Sequence, residues 1–221
     1  MKVKRTFCFV DISEFTSYTE ENGDAAAAAI LMKFRTLVRT VASRRGVLIA
    51  KWLGDGVMIV AINSKNVVAT ALELQWRAHD LCAPLALCTG IAGGETILFE
   101  GDDYIGTPVN LAARLCQLAQ PVEILASAEI ASSLPLWARS VPSEDGVLRG
   151  FSEPVPLSRI VLATPDIVHV VDPICTLPLS PRAVAVARET EDGIEAFCSE
   201  ECAQTWDSES SFDMTRQYVT N

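Results

Sequence analysis

Apolar positions along the first 160 or so residues alternate between short runs and a helical period. Val3–Val10 becomes apolar at every position near its end, Phe7-Cys8-Phe9-Val10, as a strand covered on both faces does. Over Asp24–Arg45, Ile30, Phe34, Leu37, Val38 and Val41 recur on one helical face. Arg44, Arg45 and Gly46 then give that helix its stop, and Ala25–Ala29 are helix-forming filler. Leu48–Val60, LIAKWLGDGVMIV, holds two apolar runs around a Gly-rich tip and predicts a hairpin, with strands near Val47–Ala50 and Val57–Ile62. A second helix is expected over Ser64–Leu81, with Val67, Ala71, Leu74 and Ala78 inward. Strands follow at Leu85–Ile91 and Thr96–Phe99, then an acidic turn. A helix over Thr107–Ala119 has Thr107 as its expected N-cap and Pro108 as its first residue. A strand (Val122–Leu125), a short helix (Ser127–Leu134) and a last strand (Leu157–Leu162) complete the pattern. This order, βαββαβ with additions, predicts an α+β domain with a ferredoxin-like or palm-type core and helices on one face of the sheet. Thr164-Pro165-Asp166 marks the expected boundary: residues 1–163 as one domain, 164–170 as a linker, and 171–221 as a small cysteine-containing module.

Charge narrows the function. The 221 residues carry a formal net charge of −10, with a pI near 4.7, which argues against a basic nucleic-acid surface. An anionic small ligand remains compatible if a metal ion supplies the positive charge. The longest unbroken apolar run, Ala25–Met32, falls far below the ~18 residues of a membrane span. Phe7–Val10 stops at Asp11, too short for a signal-peptide core. A cytoplasmic protein without membrane contact is expected. Seven cysteines in a reducing compartment read as buried thiols or metal ligands rather than a disulfide framework.

Polar residues at the ends of apolar elements are the candidate chemistry. Asp11 leaves the first strand, where it is either a helix N-cap or a ligand. Lys51 and Asp55 sit at the hairpin tip, as a solvated turn or as a site on a rigid scaffold. If these strands pair antiparallel, Asp11 and Asp55 face each other, a repulsive arrangement unless a cation neutralises it. Mg²⁺ suits one or two carboxylates plus substrate phosphates. Thr107, Asn110 and Arg114 share one helix face, either merely solvated or aimed at a ligand. There Arg114 would offer fixed positive charge to a phosphoryl group.

Four segments, FVDISEFT, KWLGDGVMIV, YIGTPVNLAARL and LRGFSEPVPL, occur in this order between Val3 and Leu162. Together they resemble the class III nucleotidyl cyclases, the adenylate and guanylate cyclases. The resemblance implies a head-to-tail homodimer with active sites at the subunit interface, converting ATP to 3′,5′-cyclic AMP and pyrophosphate. It implies that Asp11, Asp55 and the Ile12 carbonyl hold two Mg²⁺ or Mn²⁺ ions, and that Phe15 and Thr16 contact the substrate. Lys51 and Thr107 match the purine-reading positions, with Lys51 on the adenylate side of the family. Asn110 and Arg114 match the transition-state pair, which in the family comes from the opposite subunit to the metals. The chain departs from the family's pattern at Glu14, where Gly is usual, and at Ala92-Gly93, where His-Thr is commoner. Thr107 replaces the common Asp, and Thr here marks a subclass often stimulated by bicarbonate. A guanylate cyclase and a catalytically idle nucleotide- or metal-sensing dimer are the alternatives. A diguanylate cyclase would carry a GGDEF-type signature, which is absent.

Composition changes beyond Pro165: nine acidic and no basic residues lie between Glu189 and Asp213. The frame DPIC…FCSEEC resembles the small treble-clef metal-binding modules of the YHS and TRASH type. Cys198 and Cys202, four apart, can converge on one ion with Cys175 as a third thiolate, and Zn²⁺ or a softer metal is implied. Asp172, His169 or water are candidates for a fourth ligand; unliganded thiols are the alternative. Cys8, Cys82, Cys88 and Cys116 are expected in the core.

Overall fold

The computed structural model describes residues 1–101, 103–163, 170–190 and 193–217, without the side chains of Arg182 and of 211–217. The chain divides into two compact units, Met1–Leu162 and Ala163–Asn221. The expected boundary at Thr164-Pro165-Asp166, and His169, lie outside the described residues.

The first unit runs β1 (Lys2–Ile12), α1 (Phe15–Asn22), α2 (Asp24–Arg45), β2 (Leu48–Leu53), β3 (Gly56–Ala61), α3 (Ser64–Leu81), β4 (Leu87–Phe99), β5 (Asp103–Ile105), α4 (Thr107–Leu118), β6 (Ile124–Ser127), α5 (Ala128–Ala131), β7 (Ala138–Pro142) and β8 (Leu157–Leu162). Seven strands form one sheet in the order β2-β3-β1-β4-β6-β8-β7, and β5 pairs with β4. β1 lies between β3 and β4, antiparallel to both, so its apolar run is covered from either side.

Strand alternation assigns the two faces. Phe7, Met58, Val60 and Ala92 point to one face and pack with Ala112 of α4. A Cβ on Gly90 would lie 2.2 Å from the Ala112 carbonyl oxygen and from the Cys116 amide nitrogen, so α4 rests backbone-to-backbone on β4. Cys8, Val10, Ile59 and Ile91 point the other way and are fully buried. α3 touches β1, β3 and β4 there, with α2 packed on α3. The two long helices thus share one face, and α4 is added on the opposite one. Glu73, fully buried on α3, is neutralised by Arg44 and Arg45 at the end of α2 and by Arg77 one turn on.

Several expectations need correction. The strands expected at Leu85–Ile91 and Thr96–Phe99 are one strand, β4, paired with β1 from Lys2↔Ile97 to Ile12↔Leu87. Gly93 and Gly94 do not break it; a Cβ on Gly94 would come within 2.8 Å of Pro108 Cγ, so the glycine leaves room for the start of α4. Thr107 is not the N-cap of α4. Gly106 holds that position and Thr107 is the first helical residue. The short helix α5 ends at Ala131 rather than near Leu134. Helix α1 and strands β5 and β7 lack a strong apolar period and escape the sequence pattern.

The second unit contains β9 (Val170–Val171), β10 (Pro178–Leu179), the hairpin β11 (Val186–Thr190) and β12 (Gly193–Phe197), and α6 (Glu200–Gln217). Arg188 bridges to Asp207 and Glu200, and the rings of Phe197 and Trp206 lie 5.8 Å apart, so α6 is fixed on the hairpin.

Candidate active site

Asp11 is carried at the exit of β1 and Asp55 in the two-residue turn between β2 and β3. Because β3 pairs with β1 through Val10↔Val57, the turn places Asp55 beside Asp11. Partial desolvation, and then the Asp55 carboxylate, push the Asp11 carboxyl up to about 6, against a hydrogen bond from the Ile12 backbone. A Cβ on Gly56 would lie 2.7 Å from Asp11 Oδ1, so a glycine is needed where the hairpin meets this carboxylate. Asp11 is accessible and Asp55 half-buried, and both offer oxygen only. Two carboxylates that repel each other at an open rim form a donor set suited to a hard divalent cation. The backbone of Ile12 continues the strand beside them, with its side chain buried.

The turn after Asp11 is formed by Ser13 and Glu14. Ser13 is tied across to Ala86, its amide nitrogen and its hydroxyl both donating to the Ala86 carbonyl. Glu14 adopts a left-handed conformation, φ 57° and ψ 21°, where glycine is favoured. Phe15 and Thr16 open α1 directly after it, Phe15 half-buried and Thr16 exposed.

Lys51 lies opposite Met58 after a register shift between Ile49 and Lys51. Its row continues through Met58↔Phe9 and Phe9↔Gly90, so Lys51 stands on the same sheet face as α4 and Asp11. Its ammonium pairs with Asp103 Oδ1 at 2.8 Å. Behind the hairpin tip, Arg35 and Arg39 sit 5.0 and 5.3 Å from the Trp52 ring centre, and Arg35 donates to the Gly54 carbonyl. These contacts brace the turn that presents Asp55.

Thr107, Asn110 and Arg114 line a cleft of about 380 Å³ with Arg149, Gly150, Phe151 and Ser152. The Arg114 guanidinium donates to Gln117 Oε1 at 2.7 Å, which directs it along the helix face. Arg149 was not singled out from the sequence, although it lies in LRGFSEPVPL; no periodicity marks a residue in a loop. With Arg114 it gives the cleft two guanidinium groups. Among the described residues, no hydrogen bond or ion pair joins Asp11 or Asp55 to Asn110 or Arg114.

In the second unit, Asp172, Cys175, Cys198 and Cys202 are all buried, with their ligand atoms within 4.8 Å of one another. Sulfur–sulfur distances are 3.5 Å for Cys175–Cys198 and 3.7 Å for Cys198–Cys202. Tetrahedral thiolates at about 2.3 Å from a zinc ion stand about 3.8 Å apart, so the spacing fits a metal and not a disulfide. Contacts with the Cys198 and Cys202 sulfurs, then burial, raise the Cys175 thiol above its ordinary value. The Asp172 carboxylate accepts from the backbone nitrogens of Ile174, Cys175 and Cys198 at 2.9, 3.1 and 2.8 Å. It thereby holds the two cysteine-bearing loops together. Cys8, Cys82 and Cys116 are buried and Cys88 partly so, all as free thiols.

No family model matches the chain. An uncharacterized protein of Mycobacterium tuberculosis is 35% identical over 147 residues, 66% of this chain. An adenylate cyclase of Streptomyces coelicolor is 31% identical over 138 residues, 62% of this chain. The chain spans only 38% and 35% of the lengths of these two relatives. Among solved structures, the adenylyl cyclase CyaB of P. aeruginosa superposes with a TM-score of 0.62 at 29% identity, covering 76% of this chain and 98% of that one. The guanylate cyclase domain of Catenaria anguillulae, solved with GTP, shares the fold at a TM-score of 0.65 and 17% identity, covering 73% and 98%. By sequence and by fold together, the chain belongs, through its first unit, to the class III nucleotidyl cyclases.

Proposed function

We propose that the chain is an adenylate cyclase that converts ATP to 3′,5′-cyclic AMP and pyrophosphate as a cytoplasmic homodimer. The observation that carries this reading is the carboxylate pair, Asp11 beside Asp55, each fixed by strand pairing at one rim. The ribose 3′-oxygen would attack the α-phosphorus in line; the new O–P bond forms as the bond to the β-phosphate breaks. Mg²⁺ or Mn²⁺ held by Asp11, Asp55 and the Ile12 carbonyl would acidify the attacking hydroxyl and offset the triphosphate charge.

The remaining roles fall to the protein's own groups. Arg114 would stabilise the negative charge that develops on the α-phosphoryl group, with Arg149 as a second cation at the same cleft. Asn110 would orient the ribose. Phe15 and Thr16, following the turn at Glu14, would contact the substrate next to the metals. Lys51 would donate to the adenine edge and Thr107 would accept from the adenine amino group. Freed from capping duty, the Thr107 hydroxyl is available for that contact. A site built from two subunits, with the carboxylates from one and Asn110 and Arg114 from the other, follows from the family resemblance. Bicarbonate as an activator follows only from the resemblance at Thr107.

In the second unit we propose a structural or sensory metal site, Zn²⁺ or a softer ion on Cys175, Cys198 and Cys202. Asp172 is engaged by three backbone N–H groups and braces these ligands. Residues 1–163 would be the catalytic module, 171–221 the metal-binding one.

Complementation tests the shared site. Asp55→Ala and Arg114→Ala should each be inactive as homodimers, while mixing them should restore one working site per heterodimer. Heterodimers that form and remain inactive would refute it.

A further inference from the structure

Asp55 is carried beyond the last rung that ties its hairpin to the rest of the sheet. The ladder between β3 and β1 ends at Val10↔Val57, so Gly54-Asp55-Gly56 projects past it, on a hairpin whose outer strand β2 is the sheet edge. A glycine on either side of Asp55 gives this tip more backbone freedom than other residues would. Among the described residues, the hydrogen bond that holds the tip from outside the hairpin comes from helix α2, where Arg35 Nη2 donates to the Gly54 carbonyl at 3.0 Å. The Arg35 guanidinium is fixed in turn by the Trp52 ring, whose centre lies 5.0 Å away.

Arg39, one turn further along α2, sits 5.3 Å from the centre of the same ring. Like charges four residues apart on a helix repel each other, at a small cost in stability. The indole offsets that cost, because its face attracts both cations. A second cost falls on the site itself, since positive charge beside a metal position opposes the binding of a divalent cation. What Arg35 can add to that site is therefore geometric. It ties a flexible tip, and the carboxylate on it, to a helix of 22 residues.

We propose that Arg35, clamped by Trp52, is a positioning residue for the divalent cation, holding the hairpin tip so that Asp55 stays beside Asp11. This rests on the reading of Asp11 and Asp55 as metal ligands. Titration calorimetry of the purified full-length protein with Mn²⁺ tests it, counting the binding that Asp55→Ala removes. Arg35→Met keeps a good helix former and loses the donor. It should weaken that binding about fivefold, the scale of one hydrogen bond, even though a positive charge has gone. Arg39→Met removes a positive charge from the same ring without touching the tip, and should leave the binding as tight or tighter. Three results would overturn the role of Arg35 and leave the carboxylate reading intact. They are undiminished Mn²⁺ affinity in Arg35→Met, a lower melting temperature in that variant at unchanged affinity, and an equal weakening in Arg39→Met. Mn²⁺ binding untouched by Asp55→Ala would overturn the carboxylate reading and this inference with it.

Discussion

Asp11 shows how a single residue records the function of its surroundings. Its carboxyl is raised from 3.8 to about 6 because partial desolvation and Asp55 both oppose its charge. The folded state therefore binds a proton over a range in which the unfolded chain has released it. Stability contributed by this group is present at low pH and is lost as pH rises from about 4 through 6. In metal-free protein, Asp11→Asn should raise the melting temperature at pH 7 and leave it unchanged at pH 4, measured by thermal denaturation in a chelator. An equal effect at both pH values would contradict the coupling. The sequence made the pair visible because both residues end apolar runs, and strand pairing brings such ends together. It could not reveal Asp103 or Arg149. Asp103 opens a three-residue strand with no apolar period and Arg149 sits in a loop, and only the pairing of β5 with β4 and the cleft beside α4 bring them to the site. Glu14 was legible as a departure, and its left-handed backbone places the cost in conformation.

Among the elements, the long helices, the hairpin and the central strand were readable because each carries a long apolar pattern. β4 was misdivided because two adjacent glycines resemble a break. Their absent side chains instead admit neighbours, Thr6 and Ile130 near Gly93 and Pro108 near Gly94. Likewise, Gly90 permits the close approach of α4 that sets the height of Asn110 and Arg114 above the sheet. The start of α4 was misplaced by one residue because Thr followed by Pro is a good cap signature, yet Gly106 takes the cap geometry. The connection from α4 to β6 carries strain of its own. The Glu123 amide donates to the Gln120 carbonyl, closing a turn with Pro121 second and Val122 third at φ 68°. That third position favours glycine, and a β-branched residue there is unfavourable. Val122 is 61% exposed, so little burial would be lost on replacing it. Val122→Gly should stabilise the protein by about 1 kcal/mol, a rise of roughly 2–4 °C in melting temperature. A fall in melting temperature would show that the turn is not strained.

At the level of the whole molecule, the two units have different chemistry. The first presents oxygen donors and guanidinium groups at accessible sites; the second buries three sulfurs, two of them within the acidic segment. The tail cluster was legible from cysteine spacing, but the role of Asp172 was not, since hydrogen bonding to three backbone nitrogens leaves no trace in sequence. Elemental analysis of the purified chain should find about one zinc or softer metal ion per chain, as expected for a thiolate site. Cys198→Ser should remove most of it, and equal metal content in both proteins would refute the site. Among the described residues, no helix is long and apolar enough to cross a membrane.

The central claim is that paired carboxylates and a lysine-read purine make this chain an adenylate cyclase. Formation of cyclic nucleotide by the purified full chain, supplied with ATP or GTP and Mg²⁺ or Mn²⁺, tests it most directly. The account predicts 3′,5′-cyclic AMP from ATP in preference to cyclic GMP from GTP. It also predicts that Asp55→Ala loses more than about 90% of that turnover, a barrier increase above about 1.4 kcal/mol, while still forming dimers. Cyclic GMP as the main product, no product from either nucleotide, or undiminished turnover in Asp55→Ala would contradict it.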